Sequence, residues 1–298
     1  MKNKVLVALF LLLLLPSGFA QDDRREQRRQ RRRQLDEKST VYAKADDGTE
    51  LRWTVYPGAG PGPHPAVLVI HGGGFVKEPN SPKTIQTAVD AAAAGFNAFH
   101  VEYRLASRRG ALSGQTSSGQ YPDQTNDLKL AVRAARKFPG GNGKVGAIGG
   151  SAGGAHAVYL AATGTAGDDR LDAAVALSGA YDFNDLGSQK QQNFKRLVIN
   201  YAGTSDPAAL TKASAITYVD ANTAPLLVMA SDEDAMPPEQ FDDLIKKLNA
   251  SGARDFQKLL RTNSRAHAFA YWPEVRQQCL AFLKQKLEAP TTASSVTP

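Results

Sequence analysis

The chain has 298 residues, of which 42% are hydrophobic, and a single Cys. That apolar share excludes a wholly disordered chain, and one Cys excludes a disulfide scaffold or a Cys-rich zinc module. The formal net charge of +7 is concentrated before Ser39, in Lys2, Lys4 and an Arg-rich stretch, so the nearly neutral body gives no reason to expect a nucleic-acid partner.

Residues 1–20 read as a cleavable signal peptide. Lys2 and Lys4 precede an apolar run from Val5 to Leu15, and Gly18-Phe19-Ala20 places small residues before a cut after Ala20. The run is too short for a stable membrane span, which needs about 20 apolar residues. A secreted or periplasmic protein is therefore expected. Residues 21–38 are charge-dense, with Leu35 the single apolar residue, and predict a disordered arm. The arm reads as a spacer, with weak contact to an anionic surface as its alternative role. Residues 289–298 predict a disordered tail, which leaves residues 39–288 as one domain.

Within that domain, Thr40–Lys44 and Glu50–Tyr56 predict a hairpin across Asp46-Asp47-Gly48. Strand-like and helix-like periods then alternate. The apolar run Ala66–Ile70 predicts a strand buried on both faces, and Ser81–Gly95 a helix with Ser81 as N-cap and Gly95 as stop. Strands follow at Phe96–Val101, Val145–Ile148, Ala173–Leu177, Leu226–Ala230 and Phe256–Leu260. Helices are expected at Tyr121–Phe138, Ala152–Ala162, Gln191–Tyr201, Pro238–Ala250 and Trp272–Leu287. The pattern predicts an α/β fold with a mostly parallel sheet of about eight strands, flanked by five or six helices. Ligands on such sheets sit beyond the carboxyl ends of the strands.

Three segments at those ends carry chemistry. Gly149-Gly150-Ser151-Ala152-Gly153 fits G-x-S-x-G between a strand and a helix, the context a nucleophile elbow requires. The bland alternative is a glycine turn in which Ser151 merely caps the helix. His71-Gly72-Gly73-Gly74-Phe75 follows the buried strand, and chance would supply HGGG in only about three chains per thousand of this composition. Its glycines let backbone N–H groups approach a developing oxyanion, so Gly73, Gly74 and the N–H of Ala152 are the candidate donors. His71 and Gly72 are supporting residues, with His71 bracing the loop. Of the five histidines only His156 and His267 follow Ser151, and the order Ser, acid, His leaves His267 as the base. The loop after Leu226–Ala230 offers Asp232, Glu233 and Asp234; spacing alone leaves Asp232 and Asp234 both open. Phe75, Tyr181 and Trp272 read as core aromatics, with pocket lining as the alternative. Cys279 reads as an inert, partly buried thiol.

With HGGGF (71–75), VEYRLA (101–106), YPDQTNDLKLAVRAAR (121–136), GGSAGG (149–154), DEDAMPP (232–238) and HAF (267–269), the chain resembles the α/β-hydrolase esterases of the hormone-sensitive-lipase-like and bacterial acetyl/feruloyl carbohydrate esterase group. The resemblance runs from about Ala66 to Leu287. It implies an α/β-hydrolase fold and a catalytic triad of Ser151, Asp234 and His267, since Asp234 with Pro238 fits the family's D-x-x-x-P. It also implies that Tyr103-Arg104 brace the floor of the site and that Asp127 is structural. Two positions depart from the family: Gly150 stands where the lipase-like branch carries an acid, and Ala230-Ser231 where His-Gly is common.

The cap is expected to be small or absent. The expected activity is a secreted serine carboxylesterase that hydrolyses short acyl esters, acetyl or feruloyl, of small molecules or polysaccharide, with no cofactor and no metal. The alternatives are a serine peptidase of the same fold and a catalytically silent binding homologue.

Overall fold

The computed structural model describes residues 38–77, 81–107, 118–185, 192–253 and 255–288. The chain divides into two units, Met1–Lys38 and Ser39–Pro298. Of the first only Lys38 is described. The expected signal peptide, the Arg-rich arm apart from Lys38, and the tail lie outside the described residues.

The strands are β1 (Ser39–Lys44), β2 (Glu50–Tyr56), β3 (His64–Ile70), β4 (Asn97–Val101), β5 (Gly141–Gly150), β6 (Ala173–Leu177), β7 (Leu226–Ser231) and β8 (Phe256–Arg261). They form one sheet in the order β1-β2-β4-β3-β5-β6-β7-β8. The β1–β2 and β2–β4 pairings are antiparallel, and β4, β3, β5, β6, β7 and β8 run parallel. This is the mostly parallel eight-stranded sheet expected.

The helices are α1 (Pro82–Ala93), α2 (Asp123–Arg136), α3 (Ala152–Ala162), α4 (Gln192–Ala202), α5 (Pro207–Ala213), α6 (Pro238–Ala250) and α7 (Trp272–Leu287). Seven helices among the described residues exceed the expected five or six, and the addition is α5. Its start signal is present, for Asp206 accepts a hydrogen bond from the Ala209 N–H and Pro207 opens the first turn. Seven residues are too few for a helical period to stand out. Elsewhere the capping chemistry sets the ends. Ser81 accepts from the Lys83 N–H at the start of α1, and Gly95 lies just past its end with φ of 96°.

Alternate residues of the strands feed two cores, as a period of two requires. Leu68, Phe99 and Val228 pack with Leu128 and Val132 of α2, Val158 of α3 and Leu244 of α6. Val67, Val69, Ile148 and Met229 pack on the opposite face with Ala88 of α1 and Val275 and Leu283 of α7. A third cluster seats α4 and α5 on the site, where Val198, Tyr201 and Leu210 meet Phe75, Ala152 and Ala155. These two helices, inserted between β6 and β7, are a small cap.

Arg104 and Asp127 lock β4 to α2. The guanidinium donates to both carboxylate oxygens at 2.8–3.2 Å, and the two side chains are only 7% and 1% exposed. Asp46 and Asp47 take its remaining fork, and this set of acceptors holds the Arg104 pKa well above its ordinary value. Asp127 is thus a structural carboxylate. Replacing it by Asn removes the buried partner of this guanidinium and leaves it only the more exposed Asp46 and Asp47, and loss of one buried partner of such a pair costs about 3 kcal/mol. Urea unfolding of Asp127→Asn is expected to show that loss; an unchanged midpoint would mean the pair does not hold β4 to α2.

Candidate functional site

Because β3, β5, β7 and β8 run parallel, the loops that follow them emerge at one edge of the sheet. Those loops hold His71–Phe75, Ser151, Asp234 and His267. Ser151, His267, Gly72, Gly73 and Gly74 all line one open cleft of about 800 Å³.

Ser151 turns the chain from β5 into α3 with φ of 57° and ψ of −122°, a backbone conformation costly for a residue with a β-carbon. Its side chain makes no cap bond to α3, which removes the reading of a simple helix cap. The turn is tight enough that glycines are obligatory around it. A β-carbon at residue 149 would lie 2.0 Å from the Gly153 carbonyl oxygen, and one at residue 153 would lie 2.1 Å from that of Ile70. Gly72 is equally constrained, since a β-carbon there would stand 2.9 Å from that of Ser151.

The glycine loop leaves donors available. Among the described residues no hydrogen bond takes up the N–H groups of Gly73, Gly74 or Ala152. The loop is held from below. The Tyr103 hydroxyl donates to the His71 carbonyl at 2.9 Å, and its ring stacks on the imidazole at 4.3 Å between centroids. His71 Nδ1–H donates to the Gly72 carbonyl at 2.7 Å. Gln124 ties the far end by donating to the Phe75 carbonyl at 2.8 Å, while its Oε1 meets His156 Nε2 at 2.9 Å. Gln124 had no signal in the sequence beyond its place at the start of an amphipathic helix.

On the opposite wall the two candidate acids make different contacts. Asp234 Oδ1 accepts the His267 Nδ1–H at 2.7 Å, with the carboxylate 2% exposed and the imidazole 37%. A carboxylate can only accept, so the proton sits on Nδ1 and the lone pair of Nε2 is free. Asp232 instead accepts the N–H groups of Asn263 and Ser264, and these bonds hold its carboxyl below the usual range. It shapes the histidine's loop, whereas Asp234 touches the histidine. Ser231 joins this wall, donating to the Ala266 carbonyl at 2.8 Å. The Ala268 N–H donates to Ser178 Oγ at 3.3 Å.

The departure at Gly150 has a steric cause. A β-carbon there would lie 2.6 Å from the Phe269 ring, so the aromatic of the H-A-F segment occupies the space a larger residue would need. Of the aromatics offered as possible lining, Phe75 and Trp272 belong to the cores. Tyr181 is also a core residue, and it borders a separate cavity of about 100 Å³ beside Asp234. The cleft wall is built instead by Phe194 and Leu197 of α4, Met236 and Phe269. Cys279 is fully buried, and burial raises its thiol to about 12. Among the described residues no three His, Cys, Asp or Glu come together as a metal site, and no helix is long and apolar enough to cross a membrane.

Burial lowers His71 and His156 to about 3. Both stay neutral in the folded protein, whereas their unfolded pKa lies near 6.5. The unfolded chain therefore binds more protons below about pH 6.5, and stability falls as pH drops from there toward 3. Between pH 7 and pH 5 each histidine accounts for about 2 kcal/mol of that loss. In His156→Gln the drop measured by urea unfolding is expected to be smaller by that amount; an unchanged drop would show that His156 is charged in the fold.

A family model described as BD-FAE matches residues 55–248. Esterase LipC of Mycobacterium tuberculosis is 26% identical over 207 residues, covering 63% of this chain and 49% of the relative. The chain thus spans about half the length of the curated relative it matches. Among solved structures, a truncated carbohydrate esterase from gut microbiota superposes with a TM-score of 0.67 at 16% identity, covering 84% of this chain and 96% of that one. Esterase 2 of Thermogutta terrifontis phosphonylated by sarin gives a TM-score of 0.64 at 20% identity, covering 83% and 94%. With the model match extending over more than half its length, the chain belongs to the BD-FAE family.

Proposed function

We propose that this protein is a secreted serine carboxylesterase that releases short acyl groups, acetyl or feruloyl, from polysaccharide or smaller alcohols. The observation that carries the reading is the 2.7 Å bond from His267 to Asp234, set in the same cleft as a strained Ser151 and a loop of unpaired N–H groups. Ser151 Oγ attacks the ester carbonyl while His267 Nε2 takes its proton. The carbonyl oxygen becomes an anion at the N–H groups of Gly73, Gly74 and Ala152, where preorganised donors are worth several kcal/mol. His267 returns the proton to the departing alcohol. A water molecule then cleaves the acyl-enzyme by the same route, its oxygen leaving in the carboxylic acid.

Asp234 fixes the imidazole tautomer and stabilises the imidazolium that forms. The names of the relatives support ester chemistry, and the phosphonylated neighbour supports a nucleophile open to organophosphonates. The open cleft, capped among the described residues by α4 and α5, suits a short acyl group on a bulky alcohol better than a long lipid. Export rests on the N-terminal signal pattern of residues 1–20.

Hydrolysis of p-nitrophenyl acetate tests the mechanism. Ser151→Ala and His267→Ala are each expected to lower kcat by about 10⁴-fold or more, and Asp234→Asn by about 10⁴-fold, with little change in KM. Wild-type turnover by Ser151→Ala would overturn the reading.

A further inference from the structure

The cleft carries a charge pattern that the catalytic chemistry does not use. Lys77 and Lys83 line it alongside Gly73, Gly74 and Ser151, and no Asp or Glu lines it among the described residues. Neither lysine forms an ion pair among the described residues. Across residues 71–84 the chain holds two lysines against one carboxylate, Glu78. Lys77 stands directly behind the oxyanion loop, since a β-carbon on Gly73 would meet the Lys77 β-carbon at 2.7 Å.

The positive surface continues beyond the cleft. Asn193 borders both this cleft and a second open groove of about 480 Å³, whose wall includes Lys195, Arg196 and Ile199. Helix α4 divides its faces between the two, with Phe194 and Leu197 turned to the cleft and Lys195 and Arg196 to the groove. Arg196 donates to Asn193 Oδ1 at 3.0 Å, at the place where the two hollows meet. No carboxylate borders the groove among the described residues. From Ser39 onward the body is close to neutral, so this run of cations is a local feature rather than a share of a general excess.

We propose that the substrate is an acylated polysaccharide bearing carboxylates, a polyuronate ester. Uronate groups next to the scissile ester meet Lys77 and Lys83, and groups further along the polymer meet Lys195 and Arg196. A cleft lined by one sign of charge concentrates an oppositely charged substrate, by a factor of ten or more at low salt. Two adjoining hollows, both open to solvent, suit several sugar units of an extended chain. A fatty acyl chain would require an enclosed apolar cavity. This inference rests on the esterase reading above and names its substrate class.

The test measures acetate release by wild type from acetylated polygalacturonate with free carboxylates, and from the same polymer with its carboxylates methyl-esterified. The two polymers differ in charge and not in sugar or acyl group. The kcat/KM ratio is expected to favour the free-carboxylate polymer about tenfold at low ionic strength. It should fall toward one at 0.5 M NaCl, where screening shortens the reach of charge to a few ångströms. The same fall is expected at low salt in Lys195→Gln/Arg196→Gln and, more fully, when Lys77→Gln and Lys83→Gln are added. Reading the ratio cancels any general damage to the fold. A ratio of one in wild type, a ratio favouring the neutral polymer, or a ratio that survives both salt and substitution would overturn the proposal. Wild-type hydrolysis of p-nitrophenyl acetate is run in parallel: turnover there with a ratio of one removes the polyuronate proposal alone, whereas no turnover of any ester removes the esterase reading beneath it.

Discussion

The site depends on how closely the end of β5 and the start of α3 pass the neighbouring backbone. At Gly149 and Gly153 the space for a β-carbon is already filled by carbonyl oxygens, those of Gly153 and Ile70. The crossing from strand to helix is consequently sharp, and Ser151 is left at its apex with a positive φ. Strain of this kind costs of order 1–3 kcal/mol and persists only where the surroundings over-determine it. Here they do so on every side. Buried β3 and β6 flank β5, the Ser151 N–H donates to the Leu177 carbonyl, and α3 is packed beneath the turn among the core residues of the sheet face.

That one crossing fixes its neighbours. Because the elbow rises toward the loop after β3, residue 72 has no room for a side chain, and the loop passes Ser151 with bare backbone. Tyr103 and Gln124 then hold the two ends of this loop from beneath, so the unpaired N–H groups keep their places without help from the cleft side. Across the cleft, β7 and β8 end in register at Ser231 and Arg261, and their loops share the work. Asp232 ties down the backbone of the β8 loop, Ser231 ties its Ala266 carbonyl, and Asp234 is left to address the imidazole. Two carboxylates two positions apart thus have different roles because one faces backbone donors and the other a ring nitrogen.

Much of this was legible in the residues. Helices α3, α6 and α7 and strand β6 begin and end where their apolar periods and caps place them. The motifs around Ser151, the glycine loop and His267 do fall on the strand ends that converge on the cleft. What the sequence withheld is mostly long-range. Strand β5 begins at Gly141 rather than Val145, because Gly141-Asn142-Gly143 reads as loop until one sees His64 pair with Gly141. Gln124 looks like any polar residue of a helix, yet it is fully buried between Phe75 and His156. The family resemblance alone favours Asp234 over Asp232; its contact with His267 and the placement of α4 along the cleft wall depend on the packed fold. Neither follows from spacing along one chain.

The central claim is that the Ser151 hydroxyl is an activated nucleophile with the His267–Asp234 pair as its base. Incubation with a fluorophosphonate, followed by peptide mapping by mass spectrometry, tests it most directly. A single stoichiometric adduct on Ser151 is expected, forming far more slowly in His267→Ala. A folded wild-type protein that stays unlabelled, or carries its adduct on another residue, would contradict it.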